Sequence, residues 1–169
     1  MGWLFTEGQT KAELIAHLTQ GDSQLYTHRR CVRGTTLWAV QEYKARPGKP
    51  FIVAYLIQHE RGYGWGYKPV TESMGPAEVS CPVSYLDAVP VAGGPHALQW
   101  RERVRRHHAA QKRKRRMLKD AAIGDRMTLV AGLSPQTLAL VSKKPVLGRD
   151  DDGHLWRVPQ RFIESVKSA

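Results

Sequence analysis

The chain has 169 residues, 41% of them apolar and 24% charged, with a formal net charge of +11. That length suits one ordinary domain, or a domain with a small companion, and that composition predicts a packed core rather than a disordered polyelectrolyte. No apolar run approaches the roughly 18 residues that span a bilayer, so no membrane helix is expected. The opening "MGWLFTEGQTKAEL" lacks a basic n-region and a sustained apolar stretch, so a cytoplasmic protein is expected. Its Gly2 and Thr6 meet the loose myristoylation pattern, which the bulky Trp3 and Leu4 suit poorly. Cys31 and Cys81 are too few for a disulfide framework and are read as free thiols.

In chain order, the first element is a helix. Thr10 and Glu13 make a T-x-x-E capping box, Leu14 and Leu18 fall on one face, and Gly21 is the stop. Leu4 or Phe5 is expected to pack back on that face. Four strand segments follow: "QLYTHRRCV", "TTLWAVQEY", "FIVAYLIQ" and "RGYGWGYK". The third is apolar throughout and predicts a central strand covered on both faces. Together they predict an antiparallel meander, covered by the first helix and by a short one after Pro82.

"PVAGGP" (residues 90–95) breaks the pattern, and residues 95–122 then read as one long helix. Its apolar residues are few: Leu98, Val104, Met117 and Leu118. Beyond it, "DRMTLVAG", "QTLALVSKKP" and "GHLWRVP" are short strands, and "RFIESV" is a strand or a single helical turn. The expected fold is α+β: residues 1–94 a domain on an antiparallel sheet, 95–122 the basic helix, and 123–169 a small SH3-like β-barrel or β-extension.

Charge is concentrated in that helix. Residues 100–119 hold ten Lys and Arg and one acid, Glu102, while the rest of the chain is nearly balanced. Arg101, Arg105, His108 and Lys112 share a stripe, Arg106, Arg113 and Arg116 start another, and Lys112, Arg113, Lys114, Arg115 and Arg116 surround the helix. Like charges at this spacing repel, so density of this kind does not serve helix stability. Phosphates would relieve it. Arg101, Arg103, Arg105, Arg106, Lys112, Arg113, Lys114, Arg115, Arg116 and Lys119 are therefore the candidate contacts to nucleic acid or a ribonucleoprotein. Such contacts position a partner without reading bases. An acidic groove on a protein partner would also suit them.

Tyr63, Trp65 and Tyr67 alternate in "GYGWGYK" and are expected on one face, either as a stacking platform or, preferably, as core against a helix. Catalytic chemistry is thinly represented. His28 and Cys31 make half of a metal-site spacing, without a matching half. A Cys81 nucleophile with His59 as base and Glu72 as orienting acid is conceivable only if folding gathers them. "DDDG" (residues 150–153) reads as hairpin chemistry rather than a cation loop. No nucleotide-binding, metalloprotease or serine-hydrolase signature is present, so no cofactor and no metal are expected.

"GYGWGYKPVTESMGPAEVSCP" (residues 62–82), with the opening "MGWLF", resembles a family of small uncharacterised proteins carried by bacteriophages, plasmids and other bacterial mobile elements. The resemblance covers Met1 to about Trp100, and "LGRDDDGHLWRVP" resembles that family's tail more loosely. It implies an accessory gene, a class that includes nucleic-acid-handling factors and inhibitors of CRISPR or restriction systems, and it carries no activity over. Within the motif, Gly75-Pro76 and Cys81-Pro82 read as a structural corner, with Lys68 and Glu72 pairing across it. The leading expectation is a nucleic-acid-binding accessory protein. A protein-binding inhibitor of a defence system is second and a Cys81 enzyme third.

Overall fold

The computed structural model describes residues 2–22 and 24–169. Met1, the first letter of the "MGWLF" motif, lies outside them. The fold is α+β, with two five-stranded antiparallel sheets and few helices. The chain divides into two compact units, Met1–His108 and Ala109–Ala169, with the boundary inside the long helix. Among the described residues, no helix is long and apolar enough to cross a membrane.

In the first unit the strands are β1 (Leu4–Thr6), β2 (Leu25–Arg33), β3 (Thr36–Tyr43), β4 (Phe51–Glu60) and β5 (Gly64–Thr71). Their order is β1-β5-β4-β3-β2. The four expected strands form the expected meander, and β4 is central, as its uninterrupted apolar run requires. β1 is a correction. Leu4–Thr6 is a fifth strand paired with β5, and Phe5 lies opposite Gly66. A Cβ at Gly66 would stand 2.5 Å from the Phe5 ring, so glycine there is what lets the ring lie down.

Each sheet face has its own core. Leu37, Ala39, Val53, Tyr55 and Ile57 meet Leu14 and Leu18 of the first helix, α1 (Lys11–Ala16), and of the π-turn His17–Gly21 that extends it. The Thr10–Glu13 capping box forms as the sequence predicts. Buried Gln41 donates to the Leu18 carbonyl and accepts from the Tyr55 hydroxyl, pinning that helix end to the sheet. The opposite face, Trp38, Val40, Ile52 and Ala54, packs on α2 (Val83–Ala88) and on the start of α3 (Pro95–Asp120). There Trp38 stacks on Trp100 at 5.7 Å.

The second unit holds the end of α3 and a sheet of its own. Its strands are β6 (Arg126–Leu129), β7 (Thr137–Lys143), β8 (Val146–Arg149), β9 (Leu155–Arg157) and β10 (Ile163–Lys167). The order is β10-β6-β7-β8-β9, with a 3-10 turn, Gln160–Phe162, before the last strand. The last strand lies beside the first, an SH3-like order. A separate sheet and a separate core, built on Met127, Leu138, Leu140 and Ile163, make this a module rather than an extension of the first sheet. "VLGR" is a strand unnoticed in the sequence. Its buried Gly148 lies against Leu138 and Met127, where a Cβ would come within 2.7 Å of both.

Candidate nucleic-acid interface

Along α3 the buried positions of the first half are Ala97, Trp100, Arg101 and Val104, spaced i, i+3, i+4 and i+7. Leu98, expected in the buried stripe, is 60% exposed because it lies off this face. Arg101 is buried and not a surface contact, which corrects the expectation. Its guanidinium holds the Glu72 carboxylate through Nε at 2.7 Å and Nη2 at 3.0 Å. It also donates to the Leu86 and Pro90 carbonyls. Glu72 in turn accepts the Ala92 backbone N–H at 2.7 Å. Glu72 therefore pairs with Arg101 and not with Lys68.

The motif from Glu72 to Pro82 lies along this half of the helix, offering backbone carbonyls to it. Trp100 Nε1 donates to Glu78 O at 2.9 Å, Arg103 Nη2 to Pro76 O at 2.7 Å, and a His108 ring nitrogen stands 2.8 Å from Cys81 O. Arg105 reaches Asp87 at 3.1 Å, and Arg106 pairs with Glu102. The corner expected from the sequence is thus a cradle for the helix. Of the proposed contacts in this half, Arg101 and Arg103 are tied to the protein itself, and Arg105 and Arg106 each have an acid beside them.

The second half differs. Its inward face is Gln111, Lys114, Met117 and Leu118, with Ala121 just beyond the helix end. Lys114 belongs to this face and donates to the Arg161 carbonyl at 3.1 Å, so the cations do not surround the helix. Lys112, Arg113, Arg115, Arg116 and Lys119 are exposed. At about 100° per residue they lie within an arc of about 160°. Among the described residues, one acid pairs with them, Asp120, 3.6 Å from an Arg116 that is 86% exposed.

The module adds cations that lie outside the helix and outside the expected set of contacts. Lys143 Nζ donates to the Lys119 carbonyl at 2.9 Å, at the negative end of the helix dipole. Lys143, Lys144 and Arg157 line a cleft of about 500 Å3 that, among the described residues, no acid lines. The β7–β8 turn presents Lys143 and Lys144 beside Pro145, and the pairing of β9 with β8, Arg157 opposite Leu147, brings Arg157 to them.

The aromatic row is only partly formed. Trp65 and Tyr67 pack toward the α1 side, with Lys11 Nζ 5.6 Å from the Trp65 ring. Tyr63 leaves them, because Gly64 at φ +78° turns the chain. Tyr63 is 58% exposed and rests 5.7 Å from Phe5.

Cys81, His59 and Glu72 are not brought together. Cys81 is fully buried beside Trp38 and Trp100, and burial pushes its thiol up to about 12, with Cys31 adding to the shift. His59 is an odd number of residues from Ala54, so it points to the opposite sheet face, where it meets Trp65. Glu72 is held by Arg101. His28 stands 3.3 Å from Glu42, and Cys31 packs on the core as a free thiol, as Cys81 does within it. Among the described residues, the one group with clustered metal-ligating atoms is Asp150, Asp152 and His154, within 4.8 Å of one another. Both Asp150 oxygens already accept hydrogen bonds, from the His154 backbone and the Trp156 indole.

A family model described as a domain of unknown function (DUF6927) matches residues 92–161. The match takes in all of α3 and strands β6 to β9, so the chain is similar to that family over the cationic helix and most of the module. No curated protein and no solved structure matches.

Proposed function

We propose that the protein binds nucleic acid through the exposed cationic face of α3, formed by Lys112, Arg113, Arg115, Arg116 and Lys119. One observation carries the reading. Among the described residues, these five side chains point to solvent with a single acid beside them, whereas the cations of the first half have partners within the protein. Counterion release on phosphate binding would repay the repulsion this face stores. The resemblance to proteins of mobile elements supports placing it among phage or plasmid accessory proteins, acting in a bacterial cytoplasm.

The test is fluorescence anisotropy with labelled duplex DNA, single-stranded DNA and RNA across a salt series. Wild type is compared with a variant carrying Gln at all five positions. Micromolar or tighter binding at low salt is expected, with a log-log slope on duplex up to about 4.5 units shallower in the variant. No binding at low salt, or an unchanged slope, overturns the reading. A stoichiometric complex with a bacterial defence protein that survives moderate salt would replace it with the inhibitor reading.

A further inference from the structure

Two cavities of the second unit share the wall formed by Arg157, Val158 and Pro159. The larger is the Lys143–Lys144–Arg157 cleft, which begins where the cationic helix ends, since Lys143 caps the Lys119 carbonyl. The smaller, about 200 Å3, is apolar, walled by Leu133, Pro135, Leu138, Trp156 and Phe162. Trp156 is 42% exposed yet held in place. Its indole Nε1 donates to Asp150 at 2.8 Å, and the other Asp150 oxygen accepts the His154 N–H at 2.8 Å. An exposed indole fixed in this way has less rotamer freedom to lose on stacking. Phe162 carries the Arg161 guanidinium 4.7 Å above its ring.

We propose that the second unit binds a single-stranded polynucleotide, its phosphates against Lys143, Lys144 and Arg157 and one unstacked base in the Trp156–Phe162 pocket. This rests on the reading of the α3 face and names the form of nucleic acid it serves. A cationic cleft alone would accept any polyanion, and an aromatic pocket alone would suit a proline-rich peptide. Bases and phosphates alternate along a single strand, so a stacking pocket and a cationic cleft that share a wall fit it best. Paired bases in a duplex are stacked and not free to enter. The acids Asp150, Asp151 and Asp152 lie at the β8–β9 turn and line neither cavity.

The full chain is titrated against fluorescein-labelled oligo-dT of about 15 nucleotides, within the span such sites cover, and against a duplex of equal length. Wild type is compared with Trp156→Ala, Trp156→Phe and the five-Gln α3 variant, each checked for its melting transition. Wild type should prefer the single strand. Trp156→Ala should weaken that binding about ten- to hundredfold, the loss of one stacked base. Duplex binding should be unchanged within about twofold, and Trp156→Phe should restore most of the loss. If Trp156→Ala unfolds the module, Trp156→Phe against Phe162→Leu decides by the same comparison. Equal binding of both probes, unmoved by Trp156→Ala while the five-Gln variant weakens both, overturns the single-strand site and leaves the α3 reading standing. Absence of binding to either probe overturns both. A proline-rich peptide that needs Trp156, with oligo-dT indifferent to that residue, makes the pocket a peptide groove and overturns the proposal.

Discussion

The two halves of α3 are written in the same letters and used in opposite ways. From Pro95 to His108 the cations face a wall of carbonyls and carboxylates, so Arg101 and Arg103 act as internal ligands that hold helix to sheet. From Ala109 to Asp120 the inward positions go to Gln111, Lys114, Met117 and Leu118, and five cations are turned outward. Charge density along a helix therefore does not itself mark a binding surface. What marks it is charge left without partners once the neighbouring chain has folded.

This contrast predicts that stability effects decline along the helix while binding effects rise. The largest loss is expected from Arg101→Met, which strands the Glu72 carboxylate in the core. Urea unfolding should register about 3–5 kcal/mol, with Glu72→Gln added to it recovering part. An unchanged midpoint would mean the pair does not anchor α3. The same buried corner should set an alkaline limit. Folded Cys81 keeps its proton to about pH 12, while an unfolded thiol titrates near 9. Unfolding then releases a proton in that window, and stability falls as pH rises through it. A thiol reagent at pH 8 should leave Cys81 unmodified until the protein unfolds. Arg103→Ala, losing one bond to the Pro76 carbonyl, should cost about 1 kcal/mol. Arg105→Gln, whose ion pair is half exposed, should cost ~0.2–1 kcal/mol. The five-Gln variant should melt within a few degrees of wild type, or slightly above it, since it relieves repulsion worth ~0.2–0.5 kcal/mol per pair. It alone of these should flatten the salt dependence of nucleic-acid binding. A variant in the first half that flattened it equally would erase the distinction between the halves.

Much of the fold was legible because its signals are local. The Thr10–Glu13 box, the apolar run of β4 and the breakers at residues 90–95 each act within a few residues. β1 and β8 were not legible. Each is short, and each is a strand because of a partner, β5 for one and β7 and β9 for the other. The candidate site was half legible. Composition located Lys112 to Lys119, but not the inward turn of Lys114 or the arrival of Lys143 and Arg157, which depend on how β7, β8 and β9 fold.

By itself, the sequence determined that one helix would carry the charge, that a meander would precede it and that short strands would follow. Periodicity, capping and turn chemistry are properties of neighbours in the chain. Only the tertiary structure decided which cations are free. Burying a guanidinium requires a carboxylate and carbonyls placed around it, and for Arg101 these come from Glu72, Leu86 and Pro90. No helical period can report partners that lie 11 to 29 residues away in the chain.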